Sequence, residues 1–241
     1  MANSQNKNAD HKDFKITETV EEYCEAIYNL TKDEGKPAIA ARLAERMNVS
    51  PVTVFDTIKR LKDKPYFLVI VDEKTKEISL TKLGEEIALS LARRHRLVER
   101  FLVDVLGYDW DEAHEDACRL EHAISPRFEK ALTKLLNNPT TCPHGNPIPG
   151  SGAIIDPATR PLDTDLVGHE VIVAQISEEA EHEPGLLSYL QEYNFKPGVE
   201  FYIKSVSPFN DTLTAVRKDG REVTIGVKVA QKIKVTPLAM N

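Results

Sequence analysis

Between residues 114 and 122, four side chains of types that ligate transition metals recur at helical spacing. His114, Cys118, Glu121 and His122 stand at i, i+4, i+7 and i+8, a spacing that puts all four on one face of one helix. Imidazole, thiolate and carboxylate together suit a divalent transition metal. His95 and Glu99, four residues apart, form a second ligand-type pair on the preceding helix. A solvated face stitched by i,i+4 pairs is the bland alternative, but Cys is usually buried rather than solvated. A structural zinc site would more often show paired Cys at short spacing, and the three cysteines, Cys24, Cys118 and Cys142, form no such pair. A divalent-metal-dependent hydrolytic enzyme is the rival class. It needs an open coordination position and a general base, for which Glu121 or Glu99 could serve.

The elements ahead of these ligands argue for regulation instead. Tyr23, Ile27, Tyr28 and Leu30 share one helical face, and Gly35-Lys36-Pro37 ends that helix. A second helix, about 39–47, has alanines at 40, 41 and 44 that allow close helix approach. Ser50 is placed to cap a third helix that has Pro51 at its first position. Val54, Ile58 and Leu61 point inward from it, and Pro65 ends it. Two β-runs, 67–71 and 77–80, flank a charged turn and read as a hairpin. Three helices and a hairpin are the layout of a winged helix-turn-helix, whose third helix enters the major groove. Its N-terminal side chains would reach base edges, with Lys59, Arg60 and Lys64 as phosphate contacts. An ordinary helical hairpin with a charged face is the alternative.

The formal net charge of -7 does not exclude nucleic acid, because the charge is unevenly spread. Between residues 36 and 64, Lys36, Arg42, Arg46, Lys59, Arg60, Lys62 and Lys64 outnumber Glu45, Asp56 and Asp63. The acidic excess lies in 151–196. Helices follow at about 84–106, 111–124 and 126–137. The stretch 139–164 holds six prolines and three glycines and reads as a linker. Beyond it, five β-runs and one short helix (about 185–193) suit a compact five-stranded SH3-type barrel. No apolar run approaches the roughly 18 residues of a membrane span. A polar N-terminus and few cysteines fit a cytosolic, reducing compartment. Cys24 reads as core packing, Cys142-Pro-His144 as a structural turn, Asp33-Glu34 as exposed loop, and Trp110 as packing at the start of the site helix.

The sequence resembles the diphtheria-toxin-repressor family of iron- and manganese-dependent regulators. The resemblance rests on His95-Arg-Leu-Val-Glu99, on 114–122 (HEDACRLEH) and on 145–150 (GNPIPG), together with the order of parts. It implies a mainly α fold with β: a disordered tail at 1–15, a winged helix-turn-helix domain at 16–83, a helical dimerisation and metal-binding domain at 84–138, a Pro-rich linker at 139–164 and an SH3-like domain at 165–241. It implies a homodimeric repressor of metal-homeostasis genes that binds a double-stranded DNA operator, with Mn(II) or Fe(II) at two sites per subunit and no membrane association. One site would use Cys118, Glu121 and His122, completed by Glu22 where iron-type members have Met. A carboxylate there leans toward manganese, whereas manganese-type members carry a carboxylate where this chain has Cys118, so the metal stays open. Glu25 is a possible extra ligand. The ancillary site would use His95, Glu99 and His114, completed by Glu183, with Glu181 or His182 as alternatives and Leu186 where a Gln is expected. The resemblance places Ser50, Val52, Thr53 and Asp56 at the DNA groove, with Arg42, Lys59 and Arg60 as further DNA contacts.

Overall fold

The computed structural model describes residues 16–181, 183–207, 209 and 211–238, and for Asp33 the backbone alone. The expected disordered tail and the alternative ligand His182 lie outside the described residues. The chain forms two compact units, residues 1–88 and 89–241.

In the first unit, α1 (Glu18–Tyr28) buries Val20, Tyr23, Cys24 and Ile27 and runs into a π-helical turn, Asn29–Asp33. Burial, and then the charge of Glu21, pushes the Cys24 thiol up to about 12, as expected of a packing residue. Glu34 departs from its expectation as exposed loop. Its side chain is buried and pairs with Arg46 at 2.5 Å and Lys36 at 3.1 Å, tying the end of the π-helical turn to α2 (Ala40–Arg46). α3 (Pro51–Lys62) starts where Ser50 Oγ accepts the Thr53 N–H at 3.1 Å. Val54, Ile58 and Leu61 then pack with Ile27, Leu43, Leu68 and Ile78 in one core. β1 (Val69–Val71) and β2 (Ile78–Leu80) pair antiparallel as the wing, and Asp72 accepts the Lys74 and Thr75 N–H groups at the turn.

α4 (Lys82–Asp104) begins in the first unit and opens the second. α5 (Ala113–Leu120) is shorter than the sequence suggests: Glu121 and His122 lie on a 3₁₀ turn, Glu121–Ala123. The four ligand types at 114–122 therefore do not share one α-helical face. α6 (Pro126–Leu135) is capped by Ser125, and Leu97, Val98, Leu102, Ala117, Leu132 and Ile148 form the helical core.

The C-terminal part is a six-stranded antiparallel sheet in the order β3-β8-β4-β5-β6-β7. Its elements are β3 (Arg160–Pro161), β4 (Glu170–Ile176), α7 (Glu178–Glu181), α8 (Leu186–Glu192), β5 (Glu200–Ser207), β6 (Thr212–Arg217), β7 (Glu222–Gly226), α9 (Val227–Ala230) and β8 (Ile233–Pro237). The strand beyond the expected five is β3, too short and Pro-containing to carry a β pattern. Among the described residues β3 and β7 remain the ends of the sheet, so the expected barrel closure is not seen.

The Pro-rich stretch is no spacer in its first half. Cys142, His144, Asn146 and Ile148 are buried, whereas Ile154 is exposed. Gly145 has φ +85°, and a Cβ there would collide with the Ala174 carbonyl oxygen, so only glycine fits. Trp110 also differs from expectation. It joins the core of the C-terminal sheet, and its Nε1 donates to the Pro143 carbonyl at 3.0 Å. No helix among the described residues is long and apolar enough to cross a membrane.

Candidate metal centre

The i,i+4 spacing of His95 and Glu99 on α4 sets His95 Nε2 3.1 Å from Glu99 Oε1. On the other side of the same ring, His95 Nδ1 lies 2.6 Å from Glu121 Oε2. His95 thus joins the two residue groups that sequence reasoning kept apart. From α5, His114 Nδ1 is 3.6 Å from Glu99 Oε1 and 3.1 Å from Glu181 Oε2, while its Nε2 is 3.6 Å from Cys118 Sγ. His122 Nε2 lies 3.4 Å from Glu121 Oε1.

The Pro-rich segment supplies a third imidazole. Arg93, Arg96 and Arg100 of α4 donate to the carbonyls of Pro149, Pro147 and Thr141, which lays this segment along the helix. His144 Nδ1 then stands 3.2 Å from Glu99 Oε1 and 3.4 Å from Glu181 Oε1. Its Nε2 is 3.1 Å from the Trp110 carbonyl, which can only accept, so Nε2 carries a proton and Nδ1 is the atom that faces the carboxylates. Cys142 lies beside it, Sγ to Nδ1 4.0 Å.

Glu181, on α7, is the acidic residue that enters this cluster. Asn146 Nδ2 holds it at 3.1 Å. Glu183, expected in that role, is exposed and pairs with Lys232 instead. The two-residue difference is enough to move a carboxylate from α7 to the solvent side of the next turn. Leu186 is buried in the sheet's core and supplies no donor.

The electrostatics follow from packing so many titratable groups out of water. Burial opposes charging of His95, but Glu99, Cys118 and Glu121 outweigh it and hold the ring well above its usual range. His144 is raised in the same way by Glu99 and Glu181, and His114 by Cys118, Glu181 and Glu99. Burial would raise Glu99, yet the charges of His144 and His95 hold it well below the usual carboxylate range. Glu181 is raised by burial and by Glu178. Cys118 is lowered despite burial by its hydrogen bonds with His114 and His95, whereas burial pushes Cys142 up to about 11.

This donor set fits a divalent cation. Among the described residues, three overlapping groups have their ligand atoms within 4.8 Å of one another: His95, His114 and Cys118; His95, Glu99, His114 and Glu181; and Glu99, Cys142 and His144. Glu99 Oε2 is buried and has no hydrogen-bond partner among the described residues. A buried carboxylate oxygen without a donor is costly, and a cation is a partner it lacks. Sequence reasoning missed Cys142 and His144 as members. Two ligand types two residues apart in a proline-rich stretch were the available signal.

Glu22 is exposed on α1 of the first unit, and Glu25 is half-buried there. Ser50, which caps α3, and Val52, Thr53, Asp56, Lys59 and Arg60 on it are all exposed. Asp56 forms no ion pair with Lys59 or Arg60. Arg42 is half-buried and donates to the Pro37 carbonyl at 2.8 Å.

Comparison with known proteins bears on each part. Residues 15–77 match the family model of the iron-dependent repressor N-terminal DNA-binding domain. Residues 81–150 match its metal-binding and dimerisation domain. Residues 160–237 match the FeoA domain. The chain is 34% identical over 231 residues to the iron-dependent repressor IdeR of Mycobacterium tuberculosis, covering 92% of this chain and 98% of that protein. It is 31% identical over 232 residues to the diphtheria toxin repressor of Corynebacterium diphtheriae, covering 92% and 99%. Among solved structures, a manganese-dependent transcriptional repressor in complex with manganese superposes with a TM-score of 0.81 at 32% identity, covering 91% of this chain and all of that one. The manganese regulator SloR superposes at 0.75 with 31% identity, covering 92% and 100%.

Proposed function

This chain belongs to the iron-dependent (diphtheria-toxin) repressor family of metal-dependent, DNA-binding transcriptional repressors, which are not enzymes, and on that premise we propose that it binds Mn(II) or Fe(II) at two centres per subunit and, so loaded, binds an operator as a homodimer. The hydrolytic alternative has no support among its relatives. The observation that carries the reading is the buried His–Glu cluster built around Glu99, with one carboxylate oxygen lacking a donor, in a chain that also holds a winged helix.

The second centre would use His95, Glu99, His114 and Glu181, the last replacing Glu183, with His144 and Cys142 adjoining. The first would use Cys118, Glu121 and His122, completed by Glu22 of the winged-helix unit. Cys118, Glu121 and His122 would hold the ion, which would supply the positive charge that draws a further carboxylate. Glu22 would add its carboxylate from α1, and the DNA-competent state would gain by differential affinity for the metal. In a dimer, the orientation so favoured lets two α3 helices meet successive major grooves about 34–36 Å apart. Ser50, Val52, Thr53 and Asp56 face base edges, and Arg42, Lys59 and Arg60 approach the backbone. The division into 16–83, 84–138, 139–164 and 165–241, and a cytoplasmic location, belong to the same reading.

Fluorescence anisotropy with an operator selected from random DNA tests it. At least tenfold tighter binding is expected with Mn(II) or anaerobic Fe(II) than with chelator. Equal affinity in both refutes metal sensing.

A further inference from the structure

Within the winged-helix unit, the groove between α3 and the wing is apolar at its floor. Ala40 of α2, Phe55 and Ile58 of α3, and Val71 and Ile78 of the wing line a cavity of about 480 Å³. Pockets that hold small ligands measure about 300–1,000 Å³. None of these five side chains carries a hydrogen-bonding group. Phe55 is 65% exposed, on a helix face where polar residues are the rule. The rim is charged, and at one end. Along α3, Phe55 and Ile58 give way to Lys59 and Lys62 within about two turns. In the wing, Val71 pairs with Ile78 as the last rung before the turn that holds Glu73 and Lys76. Glu73 lies 3.1 Å from Lys62 and 3.6 Å from Lys76. Three ammonium groups thus face one carboxylate, and among the described residues Lys59 forms no ion pair.

We propose that this groove binds an amphipathic carboxylate, an unbranched fatty acid, whose chain lies on Phe55, Val71 and Ile78 and whose head meets Lys59 and Lys76, and that its occupation excludes the operator. The site itself needs no metal, and its effect on DNA rests on the operator reading given above. Charge complementarity fixes the head as an anion. The floor fixes the rest of the molecule. A DNA phosphate is held by hydrogen-bond donors, and the floor has none to offer. A small inorganic anion would leave the Phe55 ring in water, whereas an alkyl chain takes apolar surface out of water on both sides of the contact. Exclusion follows from position. Phe55 and Lys59 lie one helical turn apart on the exposed face of α3, next to Val52 and Asp56. Lys59 cannot serve a bound carboxylate and a DNA phosphate at once.

The test begins with calorimetry of the full chain in chelator. Sodium decanoate is expected to saturate a single site per chain. Acetate, which is the head without the chain, and decyltrimethylammonium, which is the chain with the opposite charge, are each expected to bind at least tenfold more weakly. Phe55→Ser removes part of the floor at an exposed position and is expected to keep the fold by circular dichroism. It should weaken decanoate at least about tenfold, the scale of burying one aromatic side chain. Lys76→Gln should weaken it by about threefold, the scale of an exposed ion pair. In operator anisotropy with Mn(II), a decanoate concentration that releases half of the wild type should leave Phe55→Ser bound, which separates groove occupation from capture of Mn(II) by the carboxylate. Equal binding of decanoate and decyltrimethylammonium, unchanged decanoate affinity in Phe55→Ser, or operator affinity indifferent to bound decanoate overturns the proposal. Absence of decanoate binding together with weakened operator binding by Phe55→Ser overturns it too and gives the groove to DNA. A wild-type chain that binds decanoate but no operator, with or without metal, refutes the operator reading and upholds the site.

Discussion

Glu99→Gln removes one buried negative charge and keeps the side chain's size, so its consequences can be worked from the geometry. His95 Nε2, His144 Nδ1 and His114 Nδ1 lie 3.1, 3.2 and 3.6 Å from Glu99 Oε1. At an effective dielectric of about 20, each such pair attracts with about 5 kcal/mol, much of it offset by desolvation. Removing one partner of a buried pair costs about 3–5 kcal/mol. The sign with pH follows from the histidines, whose folded-state pKa values lie above the unfolded value of about 6.5. Their stabilisation is fully present below about pH 6.5 and is lost as pH rises through the folded-state values. Gln cannot hold these charges. The stability gap between wild type and variant should be widest near about pH 6 and narrow as pH rises. Denaturant unfolding in chelator across that range measures it, and a gap that stays constant refutes Glu99 as the carboxylate holding the histidine charges. Metal gives a second readout. Mn(II) at 100 times its Kd stabilises by about 2.7 kcal/mol, or roughly 5–11 °C in Tm at roughly 2–4 °C per kcal/mol. Glu99→Gln should lose the share due to the second centre. Retention of the complete shift would mean that Glu99 is not a ligand.

Other perturbations separate the remaining roles. Glu121→Ala or His122→Ala should abolish metal activation of DNA binding, a loss above about 1.4 kcal/mol, the tenfold threshold, with the fold intact by circular dichroism. His95→Ala, which removes contacts with both Glu121 and Glu99, should weaken both centres, and an effect confined to one would contradict the bridging geometry. Asp56 is exposed on α3 and forms no ion pair with Lys59 or Arg60, so it remains available to accept from a base such as cytosine N4. Asp56→Gln should shift operator preference at one position by about 1–3 kcal/mol, and identical selected sequences would show that it reads no base. Lys59→Ala should weaken binding to all sequences and reduce the salt dependence, measurable by anisotropy at several salt concentrations.

The chain's local chemistry was largely legible in one dimension. Ser50-Pro51 marks the start of α3 because capping and proline preference act over a single turn, and Val54, Ile58 and Leu61 reveal its inner face by helical period alone. The same holds for His95 with Glu99 and for His114 with Cys118, whose spacing is one helical turn. The resemblance to a known family rested on such short motifs. What tertiary structure decided is which segments far apart in sequence share the centre. Residue spacing does not say that α5 tightens to a 3₁₀ turn at Glu121, which aims that carboxylate at His95. Nor does it separate Glu181 from Glu183, because an acidic run of Glu178, Glu179, Glu181 and Glu183 is uniform in composition, and only the docking of α7 takes Glu178 and Glu181 into the interior and leaves Glu183 exposed. The Pro-rich stretch taught the opposite of its composition. Prolines exclude helix and strand but not burial, and three arginines of α4 satisfy its carbonyls so that Cys142 and His144 can leave water and face Glu99.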